Sequence, residues 1–278
     1  MPGRLILCAT PIGNLDDASP RLAAALASAD VVYAEDTRRS RVLLERLGVS
    51  AVVRSYFVGN ERSRSAELGA RLEDGETVAL ITDAGTPAIA DPGLSAVRAA
   101  VEADADVTVV PGPSAVTAAV AVSGLPGDRF VFEGFLPRKA GARSRRLEEL
   151  AHETRTLVLF AAPSRVAEDL GAIAGSFGAD REVVVVRELT KVHEEIYRGT
   201  AEQTARRWSD EVEPRGEFTL VVAGAPNEER PVDQLLAEVD VGVAKGRSLS
   251  EVVREVAETA GVSRRVLYEA ALRTRDGA

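Results

Sequence analysis

Cysteine, histidine and lysine are scarce in this chain of 278 residues, which contains one cysteine, two histidines and three lysines. A single cysteine excludes an internal disulfide and fits a reducing compartment. The same scarcity removes the usual ligands of zinc, so we expect no metal site. Because 31 of the 34 basic residues are arginines, positive charge depends almost entirely on guanidinium groups.

Long apolar runs are lacking as well. No segment approaches the ~18 consecutive apolar residues of a membrane helix, and the N-terminal segment has no small-residue cleavage site of a secretory signal. We therefore expect a soluble, cytoplasmic protein without a membrane partner. The chain is 45% hydrophobic and carries a net charge of −9, which allows a sizeable core and excludes a uniformly positive surface.

Short β-branched runs alternate with helical patterns from the beginning of the chain. In the first part they predict a fully buried strand at 4–10 and further strands at 31–34, 52–56, 77–82 and 107–110. Such alternation predicts parallel βαβ units whose sheet is covered by helices on both faces. A turn-rich stretch then separates a second series, with strands predicted at 130–135, 156–160, 182–187, 196–199 and 218–223.

Beyond residue 226 the pattern becomes purely helical. The predicted fold class is therefore α/β, with an N-terminal lobe (1–122), a C-terminal lobe (123–226) and a small helical segment (227–278). Within that segment, AETAGVSRRVLYEAAL resembles a helix-turn-helix. A plain helical hairpin packed on the lobes is the simpler interpretation.

Three loops rich in glycine, proline and small polar residues follow strands of the first lobe, at 10–14 (TPIGN), 83–87 (DAGTP) and 111–115 (PGPSA). Ligands of parallel sheets bind beyond the carboxyl ends of the strands, so three such loops indicate a pocket. Neither GxxxxGK[ST] nor GxGxxG is present, which disfavours a nucleoside triphosphate or a conventional dinucleotide. Rigid loops with one carboxylate, Asp83, suit a ligand without phosphates such as S-adenosylmethionine (AdoMet).

Six motifs in order along the chain carry a family resemblance: ATPIGNLDD, AEDTR, ITDAGTPAIADPG, PGPSA, FEGFLPRK and RELTKVHEE. From about residue 5 to residue 224 the chain resembles the small-subunit (16S) rRNA cytidine 2′-O-methyltransferases of the tetrapyrrole methylase superfamily. The resemblance implies a two-lobed α/β homodimer with AdoMet in the cleft between the lobes. It also implies that the partner is small-subunit rRNA or the small ribosomal subunit, methylated on a cytidine ribose.

The resemblance also implies which residues contact AdoMet. Ser114 and Ala115 are expected near its amino-acid end, and residues of the second lobe near its adenosine. Related sequences often carry an aromatic, an acid and a histidine around the segment FAAPSR, and this chain does not, so a contact there would use backbone atoms. The full implied set is Pro11, Asp83, Ala84, Gly85, Thr86, Ser114, Ala115, Ala161, Glu217 and Thr219.

Deprotonation of a ribose hydroxyl calls for a general base. Because histidine is scarce, we expect a carboxylate or a lysine in this role, and our hypothesis is Glu35 or Asp36 in the motif AEDTR. The position motivates this hypothesis, since the end of the second strand is expected beside the loop 10–14. The alternative for Asp36 is an ion pair with Arg38 or Arg39, or a place at the start of a helix.

The segment 138–146 holds five basic residues and no acid, which predicts salt-dependent contacts to RNA phosphates. The predicted RNA-binding residues are Arg38, Arg138, Lys139, Arg143, Arg145 and Arg146. Arg39 directly follows Arg38 in the sequence.

Two other functions stay open at this point. One is methylation of a tetrapyrrole of the precorrin or uroporphyrinogen type, and the other is non-catalytic nucleic-acid binding through the terminal helices.

Overall fold

A five-stranded sheet organises the first lobe in the computed structural model, which describes residues 3–210, 214–226 and 231–276. All neighbouring strands are parallel and the order is β3-β2-β4-β1-β5. This confirms the predicted parallel βαβ pattern, with three buried central strands and two less buried edge strands. The strands are β1 (Arg4–Cys8), β2 (Val31–Ala34), β3 (Val53–Ser55), β4 (Thr77–Ile81) and β5 (Asp106–Val110).

Four helices connect these strands, and a fifth follows the last of them. Their bounds are α1 (Pro20–Ser28), α2 (Thr37–Leu47), α3 (Glu61–Glu73), α4 (Leu94–Glu102) and α5 (Ala115–Ser123). The helices α3 and α4 bury narrow stripes of small and apolar residues. In α3 only Ser65, Leu68 and Leu72 are buried, against the face of the sheet that also carries Tyr33 and Tyr56.

The second lobe has a mixed sheet with the order β6-β7-β10-β8-β9. Its strands are β6 (Phe130–Phe135), β7 (Thr156–Ala161), β8 (Glu182–Arg187), β9 (Glu195–Thr200) and β10 (Phe218–Val222). The pair β6–β7 is parallel, and the other three pairs are antiparallel. Its helices are α6 (Ala140–Leu150), α7 (Val166–Phe177) and α8 (Ala201–Ser209). The two sheets together confirm the α/β fold class.

The helix α5 joins the two lobes. It follows β5 of the first sheet, yet its side chains Val116, Ala119 and Val120 pack with valines of the second sheet. The helix that follows β5 therefore does not pack on the sheet to which β5 belongs. Val107 and Val109 of β5 remain 40% and 45% exposed. The first-sheet edge opposite β3 thus presents an apolar surface.

Both lobes fall within one compact unit, Met1–Gly224, and the remaining residues form a second unit, Ala225–Ala278. The second unit contains α9 (Val232–Ala244), α10 (Leu249–Ala260) and α11 (Arg264–Asp276). These three helices pack around a core of Leu235, Val239, Val253 and Leu267. Gly261 ends α10 in the left-handed conformation, which favours glycine. No helix among the described residues has the length and apolarity needed to cross a membrane.

Candidate functional site

The three predicted loops meet at one edge of the first sheet, because β4, β1 and β5 are neighbours and end there. Thr10 and Gly85 exchange two backbone hydrogen bonds of 2.9 and 3.1 Å, and the Thr10 hydroxyl donates to the Thr82 carbonyl at 3.1 Å. Gly85 has φ +78°, a conformation that favours glycine. The loops 10–14 and 83–87 are therefore held together by their own backbones.

A cavity of about 390 Å³, here called the first cavity, opens between these loops and the second sheet. The antiparallel pairing of β7 and β10 places Ala161 opposite Phe218, so the end of one strand and the start of the other face the same space. Pro11 lines a neighbouring cavity. Nine of the ten predicted AdoMet-contacting residues line the first cavity: Asp83, Ala84, Gly85, Thr86, Ser114, Ala115, Ala161, Glu217 and Thr219.

The walls of the first cavity differ in chemistry. One side is apolar and includes Ile12, Phe160 and Pro163, while small residues such as Ala161 and Ala162 leave the space open. This volume falls in the range of small-molecule sites, which are mostly apolar with a few placed polar groups. A flat aromatic group fits the apolar side.

The start of α5 supplies hydrogen-bond donors to the cavity. Ser114 occupies the N-cap position, but its side chain makes no capping hydrogen bond. The first amides of an α-helix have no partner within the helix, and together with the helix dipole they attract a negatively charged group. Because Ser114, Ala115 and Val116 line the cavity, this end suits a carboxylate.

Four carboxylates line the first cavity: Glu35, Asp83, Asp91 and Glu217, of which Glu217 pairs with Lys191. The Asp83 amide donates to Glu35 Oε2 at 3.3 Å, and the Asp36 amide donates to Asp83 Oδ1 at 3.0 Å. Burial, together with the negative charge of Asp83, raises the pKa of Glu35 above its ordinary value. Clustered acids of this kind are typical of functional sites.

Asp91 is a site residue that sequence reasoning missed. Burial and then the charges of Glu35 and Asp83 raise its pKa to about 6. Ala88 and Ala90, in the loop before it, have φ values of 67° and 62°, which is uncommon for residues other than glycine. The signal in the sequence that could have identified Asp91 was the motif ADPG, in which the acid directly precedes a Pro-Gly turn.

Asp36 does not line either of the cavities at this edge of the sheet. It is the N-cap of α2, where its carboxylate accepts the Arg38 amide at 2.8 Å and pairs with the Arg38 guanidinium at 2.7 Å. Hydrogen bonds from Arg38 hold the pKa of Asp36 well below its usual range. Asp36 therefore matches the alternative of a helix cap paired with an arginine better than the role of a general base. Arg38 is the other member of that ion pair.

The expected neighbourhood of the motif AEDTR was wrong. The strand β4 lies between β2 and β1, so the end of β2 faces the loop 83–87 rather than the loop 10–14. The sequence alone does not fix strand order, because each βα unit can add to either side of a parallel sheet. Glu35 nevertheless reaches the first cavity, through its contact with Asp83.

A second cavity, of about 370 Å³, adjoins the first. It is lined by the loop 10–13 with Pro11, by α2 residues that include Arg39, and by Lys191 of the second lobe. Lys191 Nζ lies 2.8 Å from Glu188 Oε1 and 3.1 Å from Glu217 Oε2. Its side chain packs so closely on Gly13 that a Cβ there would lie 2.4 Å from Lys191 Cγ. The second lobe thus closes onto the first at this glycine.

The basic segment 138–146 divides into two groups. Arg138, Lys139 and Arg145 are exposed and form no ion pair with any residue in the described ranges. Arg143 is buried, with a side chain only 6% exposed, and pairs with Glu168 and Asp169.

Arg146 is held by two carboxylates. Its Nε and Nη2 donate to Glu133 at 2.6 and 2.7 Å, and its Nη1 donates to Glu149 at 2.6 Å. Arg143 and Arg146 are therefore engaged in intramolecular ion pairs, as Arg38 is with Asp36. The other three residues predicted to bind RNA have no such pair among the described residues. The exposed set of Arg138, Lys139 and Arg145 stays a prediction.

Comparison with known proteins agrees with this geometry. The family model of the tetrapyrrole (corrin/porphyrin) methylases matches residues 4–205. Ribosomal RNA small subunit methyltransferase I of Mycobacterium tuberculosis (strain CDC 1551 / Oshkosh) is 48% identical over 98% of this chain and 96% of its own length. The protein of the same name from Synechocystis sp. (strain ATCC 27184 / PCC 6803 / Kazusa) is 44% identical over 97% of this chain and 98% of its own.

The solved structure of a cobalamin biosynthetic enzyme, cobalt precorrin-4 methyltransferase, superposes with a TM-score of 0.58. It covers 80% of this chain and 94% of its own at 22% identity, a likeness that shows the fold alone. The relatives cover both lobes, and the family model covers the first lobe and the second as far as α8. The chain therefore belongs to the tetrapyrrole methylase family and, within it, to the family of the ribosomal RNA small subunit methyltransferases I.

Proposed function

We propose that this protein transfers a methyl group from AdoMet to the ribose 2′-oxygen of a cytidine in small-subunit rRNA. The observation that carries the proposal is the first cavity, which gathers nine predicted AdoMet contacts from both lobes. Relatives of 44–48% identity over nearly the whole chain, named ribosomal RNA small subunit methyltransferase I, support the acceptor.

The donor set of the first cavity fits AdoMet. The molecule combines a cationic sulfonium and ammonium, a carboxylate and a flat adenine. The carboxylates of Asp83 and Asp91 offset the positive charges, and the amides at the start of α5 suit the carboxylate. Phe160 and its apolar neighbours suit the adenine. When bound, AdoMet supplies an electrophilic methyl group on sulfur.

The residues of the chain then have to position the acceptor and take its proton. Glu35 is our proposed base, because its raised pKa gives it the proton affinity that Asp36 lacks. Its hydrogen bond from the Asp83 amide fixes the carboxylate beside the wall common to both cavities. The rest of the catalysis is alignment, which holds the oxygen in line with the methyl group.

We also propose that the protein is a homodimer. The support is the surface of β5, where Val107 and Val109 are 40% and 45% exposed because α5 packs on the other sheet. Val101 of the neighbouring α4 is 66% exposed. An apolar surface of this kind is commonly covered by a partner, and a second copy fits the family resemblance.

RNA binding is predicted to depend on the exposed basic cluster Arg138, Lys139 and Arg145. The double variant K139E/R145E should weaken RNA binding and reduce the slope of log K against log salt by about 1 to 2, since each phosphate contact contributes about 0.7 to 0.9. The affinity for AdoMet should stay unchanged. Filter binding at several salt concentrations measures the first effect and calorimetry the second.

The matched control is R21E/R98E, which changes the net charge equally at two exposed helix positions that line neither cavity. If the control lowers the slope as much as K139E/R145E does, the cluster has no special role. Loss of AdoMet affinity in K139E/R145E would indicate misfolding.

The proposed function is tested by incubating the protein with methyl-labelled AdoMet and three acceptors: unmodified small ribosomal subunits, naked rRNA and uroporphyrinogen. We expect label in the RNA, and mapping of the modified ribose should find a 2′-O-methylcytidine. Label in the tetrapyrrole would replace the proposal by the alternative methyltransferase. Failure to bind AdoMet at all would favour a non-catalytic RNA-binding protein.

A further inference from the structure

The two cavities share a wall. Ile12, Arg39, Asp83, Ala84 and Glu217 line both of them. If AdoMet occupies the first cavity, as the proposed function holds, this wall is where a donor and an acceptor can meet. The second cavity is therefore the place from which an acceptor can approach the donor.

The two cations of the second cavity differ in their availability. Lys191 is 24% exposed and is held by both Glu188 and Glu217. Arg39 is 67% exposed, and its ion pairing within the described ranges is limited to Asp83, at 3.2 Å from Nη1. A guanidinium has five N–H donors and an ammonium has three. Arg39, with one carboxylate partner, therefore retains more donors for a further anion than Lys191, which has two.

The size of the second cavity limits what can enter. About 370 Å³ lies near the lower end of small-molecule sites, which is room for one nucleotide and not for a stacked helix. Enzymes that act on a base within structured nucleic acid extrude the nucleotide from its stack into such a pocket. A cavity of this size demands the same extrusion of a nucleotide whose ribose is the target. A phosphate on the extruded nucleotide would need a cation at the mouth.

We propose that the second cavity binds the acceptor nucleotide extruded from the RNA, and that Arg39 positions it by binding its phosphate. The inference rests on the proposed function for the identity of the acceptor as RNA. Arg39 suits the task because it lies at both cavities and its guanidinium can bind phosphate in a bidentate manner. In this arrangement Arg39 is a positioning residue and takes no part in proton transfer.

The test compares R39A and R39K with the wild type, and with R21A as a matched control, since Arg21 is an exposed helical arginine that lines neither cavity. R39A should raise the KM for small-subunit RNA by about 10- to 100-fold, the effect of losing a charged hydrogen bond, with AdoMet affinity within about twofold. The salt slope of RNA binding should fall by about 1. R39K should recover part of the affinity, and R21A should match the wild type.

A second variant tests the cavity independently of charge. Val42 also lines the second cavity and is 55% exposed, so V42W should obstruct the cavity with little effect on folding. It should raise the KM for RNA as R39A does, again without loss of AdoMet affinity.

The outcomes separate this inference from the proposed function. A wild-type protein that binds AdoMet but methylates no RNA defeats the proposed function itself. An active wild type with R39A and V42W indistinguishable from it overturns the inference alone. Loss of AdoMet affinity in R39A with a native melting temperature would place Arg39 in the donor site and also overturn it.

Discussion

Replacing Glu35 by glutamine should lower methyl transfer at saturating RNA by about 10²- to 10⁴-fold, the usual contribution of a general base. Glutamine keeps the shape of the side chain and can still accept the hydrogen bond from the Asp83 amide, which in the wild type is 3.3 Å from Glu35 Oε2. The AdoMet dissociation constant should therefore change little. Single-turnover kinetics and calorimetry measure the two quantities separately.

The pH dependence gives the same hypothesis a second test. A base acts in its deprotonated form, and burial raises the pKa of Glu35 above its ordinary value. The rate should consequently fall as the pH drops through this raised pKa, and it should level off above it. In E35Q the residual rate should lose this dependence.

Asp36 provides a neighbouring control. D36N should retain turnover within about twofold, because Asn caps a helix nearly as well as Asp and Asp36 faces Arg38 instead of the cavity. An inactive D36N with intact folding, or an active E35Q, would contradict the assignment. If E35Q stays active and D91N is inactive, the base is Asp91, whose pKa is about 6.

The architecture of the first lobe could be predicted because its strands are short, buried and separated by helical patterns. The mixed topology of the second sheet could not. The strand β8 has four buried valines in succession. Such a sequence pattern is compatible with parallel and with antiparallel neighbours. The directions of β8 and β10 depend on the paths of the connecting segments, and no local sequence motif indicates those paths.

The cofactor loops were predictable because glycine and proline mark them locally, whereas the charged residues were not. Arg143 and Arg146 stand in a segment without acids, yet their partners Glu168 and Glu133 come from other elements. The grouping of Glu35 with Asp91 likewise depends on strand order. A charge count along the chain cannot detect pairs that only the tertiary fold creates.

Filling the first cavity should abolish AdoMet binding without unfolding the protein. Ala115 begins α5 and lines the cavity. A115F would place a phenyl ring in a space of about 390 Å³, which cannot then hold a ligand of AdoMet's size. We expect the dissociation constant for AdoMet to rise by about 100-fold or more, and methyl transfer to fall accordingly. Calorimetric titration gives the constant, and thermal unfolding shows whether the fold is retained.

Ala121, on the same helix, is exposed and lines neither cavity, so A121F is the matched control and should bind AdoMet as the wild type does. The comparison is informative because both variants add the same ring to the same helix. If A115F binds AdoMet normally while its melting temperature is unchanged, the ligand does not occupy the space in front of α5. The donor site would then have to lie outside the first cavity. The proposed arrangement, with AdoMet in the first cavity and the acceptor in the second, would be contradicted as well.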